Sequence, residues 1–257
     1  MFSDYFTKLL ANKDDLAVYT QKARKIFQSS GIFTVSDFLS QATHQNILAD
    51  CKNLKDKAFF NTVEGNCYLK EKEPSLGAHH PLNMTESTSL GVIAFDQIPA
   101  SSGIHQIYQS NELRAFIADI LGIEKLHEYE CHLGAVNIAR MIQGNYLRWH
   151  FDHSDFVVSI PIQNAESEGR YQYIHNLKSD TDPNYDGVQK VLNGDMSQVQ
   201  ELETDPGSLI LFQGKNTLHR VTPVGGNTDR YVLLLGYAKT PGSKSTDYLR
   251  KIRYGRT

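Results

Sequence analysis

At 257 residues the chain has room for one large domain or two small ones, taking roughly 150 residues per domain. Its 26 basic and 29 acidic residues leave a net charge of −3, which excludes the basic footprint of a nucleic-acid or anionic-lipid binder. Hydrophobic residues make up 40% and aromatic residues 10%, enough to bury a core, so a disordered chain is excluded as well.

The first twenty residues carry mixed charge and no long apolar run, which argues against a secretory signal. From Asp14 to Gln28, Leu16, Ala17, Tyr19, Ala23, Ile26 and Phe27 recur at helical spacing, and Gly31 supplies the stop. Ser36 is placed to cap a second helix running through Phe38, Leu39, Ile47 and Leu48. A third helix is predicted over Asn111–Leu121, with Leu113, Phe116, Ile117, Ile120 and Leu121 on one face and Gly122 as its stop. Cys51, Cys67 and Cys131 show no CxxC spacing, so neither a disulfide framework nor a structural zinc site is indicated.

After about residue 130 the pattern changes to short β-type runs separated by turn signals. These runs are Ala135–Met141, Phe156–Gln163, Tyr171–Ile174, Ser208–Phe212 and Tyr231–Tyr237, with a short helix near Tyr185–Leu192 inside an excursion between strands. None approaches the roughly 18 apolar residues of a membrane span. Helices first and many short strands later predict an α+β protein, its helices packed on a β-sandwich or barrel. No linker divides the chain. It reads as one domain over 1–257, with a mainly helical layer and support at 1–130, a β-core carrying the site at 131–240, and a tail at 241–257 expected to be a solvated end. A cytoplasmic globular protein is the expectation.

Ten histidines allow many accidental pairs, and His44, His105 and His127 read as structural or surface residues. Arg148-Trp149-His150-Phe151-Asp152, followed much later by Leu218-His219-Arg220-Val221, is different. On a strand, residues i and i+2 share a face, so His150 and Asp152 present an imidazole and a carboxylate side by side. His219 supplies a third ligand from another strand. Two histidines and one carboxylate on one face of a metal leave three positions open, the arrangement suited to non-haem Fe(II) oxygen chemistry. Zinc is the competitor for such a set, and a barrel with structural histidines is the plainer reading. Arg230 opens the strand after His219, where a buried guanidinium can clamp a carboxylate through two parallel hydrogen bonds. Arg220 alternates to the opposite face and reads as structural.

These residues resemble the Fe(II)/2-oxoglutarate-dependent oxygenases. Within that superfamily they are similar to the free-amino-acid radical halogenases (lysine chlorinases) and their hydroxylase relatives. The similar segments are Arg148–Gln163, Tyr171–Lys178, Pro206–Gln213 and Leu218–Val224, with weaker likeness at His80-Pro81, Phe95–Pro99 and Leu121-Gly122. The resemblance implies a double-stranded β-helix (a jelly-roll, cupin-like core) with packed N-terminal helices. It implies His150, Asp152 and His219 as iron ligands, Arg230 as the residue holding the distal carboxylate of 2-oxoglutarate, and O2 as the oxidant. Halogenases of this kind carry a small residue at the position of Asp152; a carboxylate there implies a hydroxylase.

The implied substrate is a small free amino acid, with lysine first in line. Glu128 or Glu130 is expected beside the pocket as a partner for an ammonium group, and His153 as a substrate contact. Asn83 stands where family members are expected to carry an arginine. An oxygenase acting on a peptide side chain or a modified amino acid is an alternative, as is a metal-binding β-barrel without catalysis. Nucleic acid and membrane are not expected partners, and nothing in the sequence sets the oligomeric state.

Overall fold

The computed structural model describes residues 1–257. Seven α-helices are α1 (Asp4–Ala11), α2 (Lys13–Ser30), α3 (Gln41–Asn53), α4 (Gly103–Tyr108), α5 (Asn111–Leu121), α6 (Tyr185–Leu192) and α7 (Asp247–Tyr254). Each is capped by a Ser, Thr or Asn side chain that accepts a backbone N–H of its first turn. The predicted first and third helices are α2 and α5, and both end on a left-handed glycine, Gly31 and Gly122. The second begins later than expected. Ser40, not Ser36, caps α3, and Phe38 and Leu39 precede it as buried core residues.

Eleven strands carry the two sheets: β1 (Ile32–Val35), β2 (Phe59–Gly65), β3 (Glu86–Ala94), β4 (Val136–Met141), β5 (Leu147–His150), β6 (Val157–Gln163), β7 (Tyr171–Ile174), β8 (Gln200–Leu202), β9 (Leu209–Phe212), β10 (Leu218–Val221) and β11 (Arg230–Leu235). The large sheet has the order β1-β9-β6-β11-β4-β3-β2, and the small one β8-β7-β10-β5. All pairings are antiparallel. Face to face, the two form a double-stranded β-helix, as expected.

The large sheet buries its back against the N-terminal helices. Val158, Ile160, Leu209, Leu211 and Leu233 join Phe6, Phe27, Phe38, Ile47, Phe116 and Ile117 in one cluster of 35 buried residues. Each such side chain contributes roughly 1.5–3 kcal/mol of burial, which is why the α5 face named from the sequence is the one that packs. The small sheet has its own cover. Trp149, Phe151, Ile174 and Leu218 pack under α6 and the 66–85 segment.

Two expectations need correction. The segment 1–130 is less helical than expected, because β1, β2 and β3 all belong to the large sheet. β2 and the first half of β3 are half-buried or exposed on both faces, so they carry no apolar alternation to read. The tail is not a solvated end. α7 lies on β2 and β3, with Tyr254 buried and its hydroxyl donating to Asn137 Oδ1 at 2.7 Å. Asn61 donates to the Ile252 carbonyl, and Arg256 pairs with Asp96 at 2.6 Å. No helix is long and apolar enough to cross a membrane.

Candidate metal centre

The register of β10 against β5 sets His219 directly opposite His150. Opposed residues of antiparallel strands have Cβ atoms about 5 Å apart, and the two rings stand 4.1 Å centroid to centroid. This pairing closes the long sequence gap between them. β5 ends at His150, but the chain stays extended: Phe151 donates its N–H to the Cys67 carbonyl and Asp152 donates its own to the Gly214 carbonyl at 3.1 Å. The Asp152 carboxylate is thereby carried between the two rings. Its Oδ1 is 3.6 Å from His150 Nε2 and its Oδ2 is 3.5 Å from His219 Nε2.

The outer nitrogens are fixed by one local device used twice. His150 Nδ1 bonds the Arg148 carbonyl at 2.8 Å, and His219 Nδ1 bonds the Thr217 carbonyl at 3.0 Å. A carbonyl only accepts, so each Nδ1 carries the proton and each Nε2 presents a lone pair. Asp152 Oδ2 is buried without a hydrogen-bond partner. Three donor atoms, each within 4.8 Å of the others, therefore converge on one point. Ligand atoms about 2.1 Å from an ion at right angles stand about 3 Å apart, so the two carboxylate–imidazole distances of 3.5 and 3.6 Å are slightly longer than in a loaded site. Two neutral imidazoles and one carboxylate fit divalent iron.

Gly214 makes this geometry possible. A Cβ there would lie 1.9 Å from Asp152 Oδ2 and 2.8 Å from Asp152 Cβ. Gly214→Ala is expected to turn the carboxylate away from the rings and weaken metal binding about 10–100-fold, as for other changes that misorient a ligand. An equilibrium Fe(II) titration checks this, and unchanged affinity would show that the loop yields instead.

Burial and the neighbouring His219 push the His150 imidazole down to about 4, outweighing the upward pull of Asp152. Its unfolded value is about 6.5, so between these limits the unfolded chain binds the proton and the folded one resists it. Stability from this group is therefore complete above about pH 6.5 and is lost as the pH falls toward about 4. Thermal melts of the metal-free protein across that range should show the decline, and a His150→Gln variant should flatten it.

Arg230 begins β11 with its side chain directed into the space between the sheets, where it is buried. Its guanidinium donates to the Met141 sulfur at 3.8 Å and makes no ion pair with any carboxylate. Burial pushes it down to about 10, with Tyr171 as the group that supports its charge. Tyr171 is close to both Arg230 and Asp152. Its ring stacks on His219 at 5.7 Å, and Phe212 meets both rings edge-on, at 4.8 Å from His219 and 5.4 Å from Tyr171. Burial and the Asp152 charge push the Tyr171 phenol well up, so it stays protonated. A buried guanidinium, a phenol and an aromatic wall thus lie on the side of the triad formed by His219.

The structure brings His150, Asp152 and His219 together and buries Arg230 near Tyr171, whose ring stacks on His219. It does not bring Glu130 there: that side chain is exposed and accepts the Gly242 N–H at 2.9 Å. Glu128 pairs with Arg114 of α5. His153 is exposed in the bend after Asp152, so the ring expected to touch substrate faces solvent. Asn83 stitches its own loop, bonding the backbone of Glu73, Leu76 and Gly77. Arg220 lies over Trp149 on the outer face, as its alternation predicted. Tyr171 and Gly214 were not singled out from the sequence. The alternation of Tyr171-Gln172-Tyr173 is a signal that could have found the first; a lone glycine carries no such signal for the second.

This fold occurs in solved oxygenases of low sequence similarity. An oxidoreductase of the 2OG-Fe(II) oxygenase family from Burkholderia pseudomallei is 13% identical, covering 87% of this chain and 92% of that one, with a TM-score of 0.56. HygX from Streptomyces hygroscopicus, solved with nickel, 2-oxoglutarate and hygromycin B, is 12% identical over 87% and 88%, with a TM-score of 0.58. A Pseudomonas putida prolyl-4-hydroxylase is 14% identical over 84% and 96%, with a TM-score of 0.52. No curated protein matches the chain. The fold is the one these proteins share, and within it the chain sets a His-Asp-His donor triad. More narrowly, residues 16–248 match the model of the family described as Halogenase D, and the chain belongs to that family.

Proposed function

We propose that this chain uses Fe(II), 2-oxoglutarate and O2 to hydroxylate an unactivated C–H bond of a small free amino acid, and that it is not a halogenase. The observation that carries the reading is Asp152. Its carboxylate stands between the two Nε2 atoms, with one oxygen buried and unpartnered, and would occupy the position that a halide needs.

His150, Asp152 and His219 would hold the iron, leaving three positions for co-substrate and oxidant. When bound there, iron and 2-oxoglutarate supply the oxidising chemistry: one oxygen atom of O2 ends in succinate as CO2 is lost, and the other is inserted into the substrate C–H bond. The chain's own work is orientation. Arg230 would pair with the distal carboxylate of 2-oxoglutarate, and Tyr171 and Phe212 would wall its site and keep His219 from turning. With Glu128 and Glu130 engaged elsewhere, the two ammonium partners expected for lysine are not at the triad. Lysine therefore heads the substrates to try by family likeness alone.

The test is to supply the twenty amino acids singly, with chloride present, and follow succinate and product mass. The reading expects one amino acid to stimulate succinate and to gain one oxygen atom. A chlorinated product would contradict the hydroxylase assignment. Succinate that no amino acid stimulates would contradict the substrate class.

A further inference from the structure

Tyr171 and Tyr173 stand two residues apart on β7, so their side chains share one face of the strand. That face is the inner one, where both rings pack with Ile210 and Phe212 of the large sheet. The Tyr171 ring stacks on His219 at 5.7 Å, and the Tyr173 ring lies 6.3 Å from that of Tyr171. Both separations are those of aromatic rings that interact directly. β7 lies between β10, which carries His219, and the edge strand β8. Tyr173 faces Gln200 of β8 in the register and donates its hydroxyl to Gln200 Oε1 at 2.8 Å. Gln200 is exposed. A line of aromatic rings therefore runs from a metal ligand to the protein surface, and the site described above uses only the first tyrosine.

Phenols and indoles give up an electron far more readily than a benzene ring does. The other such groups around the triad are worse placed. Trp149, the single indole, lies on the outer face beneath the Arg220 guanidinium at 4.6 Å, and a cation over the ring opposes removal of an electron. Tyr68 meets the triad segment only through Phe151, whose ring is 5.2 Å away and carries no hydroxyl.

We propose that Tyr171 and Tyr173 form an electron relay that carries oxidising equivalents from the metal centre to the surface when no substrate receives them. This rests on the oxygenase reading above. An oxidant formed beside His219 with no C–H bond to attack would otherwise modify the nearest rings. Tyr171 passes one electron to the iron-bound oxidant and takes one from Tyr173, so Tyr171 ends unchanged. Tyr173 loses that electron together with its phenolic proton, which leaves past Gln200 to solvent. The oxidant gains the electron and a proton from solvent, and its oxygen ends as hydroxide. A thiol or ascorbate in solution then returns one electron and one proton to Tyr173.

The experiment loads the full-length protein anaerobically with Fe(II), adds one equivalent of hydrogen peroxide and freezes the sample for electron paramagnetic resonance. Peroxide takes two electrons, one from iron and one from the relay, so no amino acid is needed to start the reaction. The wild type is expected to show a tyrosyl radical that ascorbate removes quickly. Tyr173→Phe keeps the ring but has no hydroxyl to lose. In that variant the radical should stay on Tyr171 and resist ascorbate, and oxygen addition to the peptides holding Tyr171 and His219 should rise severalfold by mass spectrometry. The double variant Tyr171→Phe, Tyr173→Phe should lose the radical. Each substitution preserves the ring, so a pair that only packs would leave the signal and the oxidation map as they are in the wild type. No tyrosyl signal in the iron-loaded wild type, a signal that survives in the double variant, or an oxidation map indifferent to Tyr173→Phe would each overturn the proposal. Adding 2-oxoglutarate to the same iron-loaded protein tests the oxygenase reading separately: a charge-transfer band without a radical removes the relay alone, whereas absence of the band removes the reading on which the relay rests.

Discussion

Asp152→Ala is expected to reduce O2-dependent succinate formation about 10³-fold or more while the protein remains folded. Asp152 is the one charged group among the three converging donors, and its Oδ2 is buried without any other partner. At roughly 1.36 kcal/mol per tenfold, this loss is about 4 kcal/mol, the scale expected when the one carboxylate of three donors is removed. The variant should also lose most of its Fe(II) affinity, since two neutral imidazoles remain. The fold should tolerate the change well. Asp152 is held by its backbone N–H to the Gly214 carbonyl, which alanine keeps, and deleting its side chain removes a charge that the apoprotein has to solvate. Succinate release and far-ultraviolet circular dichroism, measured on the same sample, separate loss of the centre from loss of the fold. Retained turnover would mean that the carboxylate is not a ligand.

The second large effect is at Arg230. Arg230→Gln should raise the half-saturating concentration of 2-oxoglutarate about 10²-fold or more, because truncating one partner of a buried charge pair costs about 2–5 kcal/mol in binding. Fe(II) binding without co-substrate should change little, since Arg230 touches none of the three donors. Stability should hold or rise, because the free protein no longer buries a guanidinium whose neighbour is a thioether rather than an anion. Titration of 2-oxoglutarate against turnover, set beside a thermal melt, reads both halves. An unchanged 2-oxoglutarate requirement would place the distal carboxylate elsewhere.

What could be read in advance followed from how local the signals are. His150 and Asp152 share a tripeptide, and Arg230 begins an apolar strand, so strand periodicity alone directs them inward. His219 was legible as a third donor, but the β10–β5 register that sets it opposite His150 is a tertiary fact. α2 and α5 were legible to within two residues because apolar stripe and glycine stop agree. β2 was not. Residues 59–65 form an edge strand half-open on both faces, and its partner β3 begins Glu-Ser-Thr-Ser, so neither presents a period-two apolar signal.

The misses at the site have a common origin. Glu130 and His153 were placed by proximity along the chain to Asp152 and its strand, whereas a side chain's direction depends on what the backbone does next. At His153 the strand has given way to a bend, and at Glu130 the backbone is recruited by Ser243 of the C-terminal segment. Tyr171 and Gly214 act through close approach, the one by stacking on His219 and the other by having no Cβ. Both depend on distances between strands remote in sequence.

His150, Asp152, His219 and Arg230 are expected to bind Fe(II) together with 2-oxoglutarate. The most direct measurement is an anaerobic titration of the purified apoprotein with both, followed by visible absorbance. A weak charge-transfer band is expected that saturates at one equivalent of iron, requires 2-oxoglutarate, and is missing in Asp152→Ala. In Arg230→Gln the band should need far more co-substrate to appear. A folded protein that shows no band, or a band indifferent to Asp152, would contradict the account.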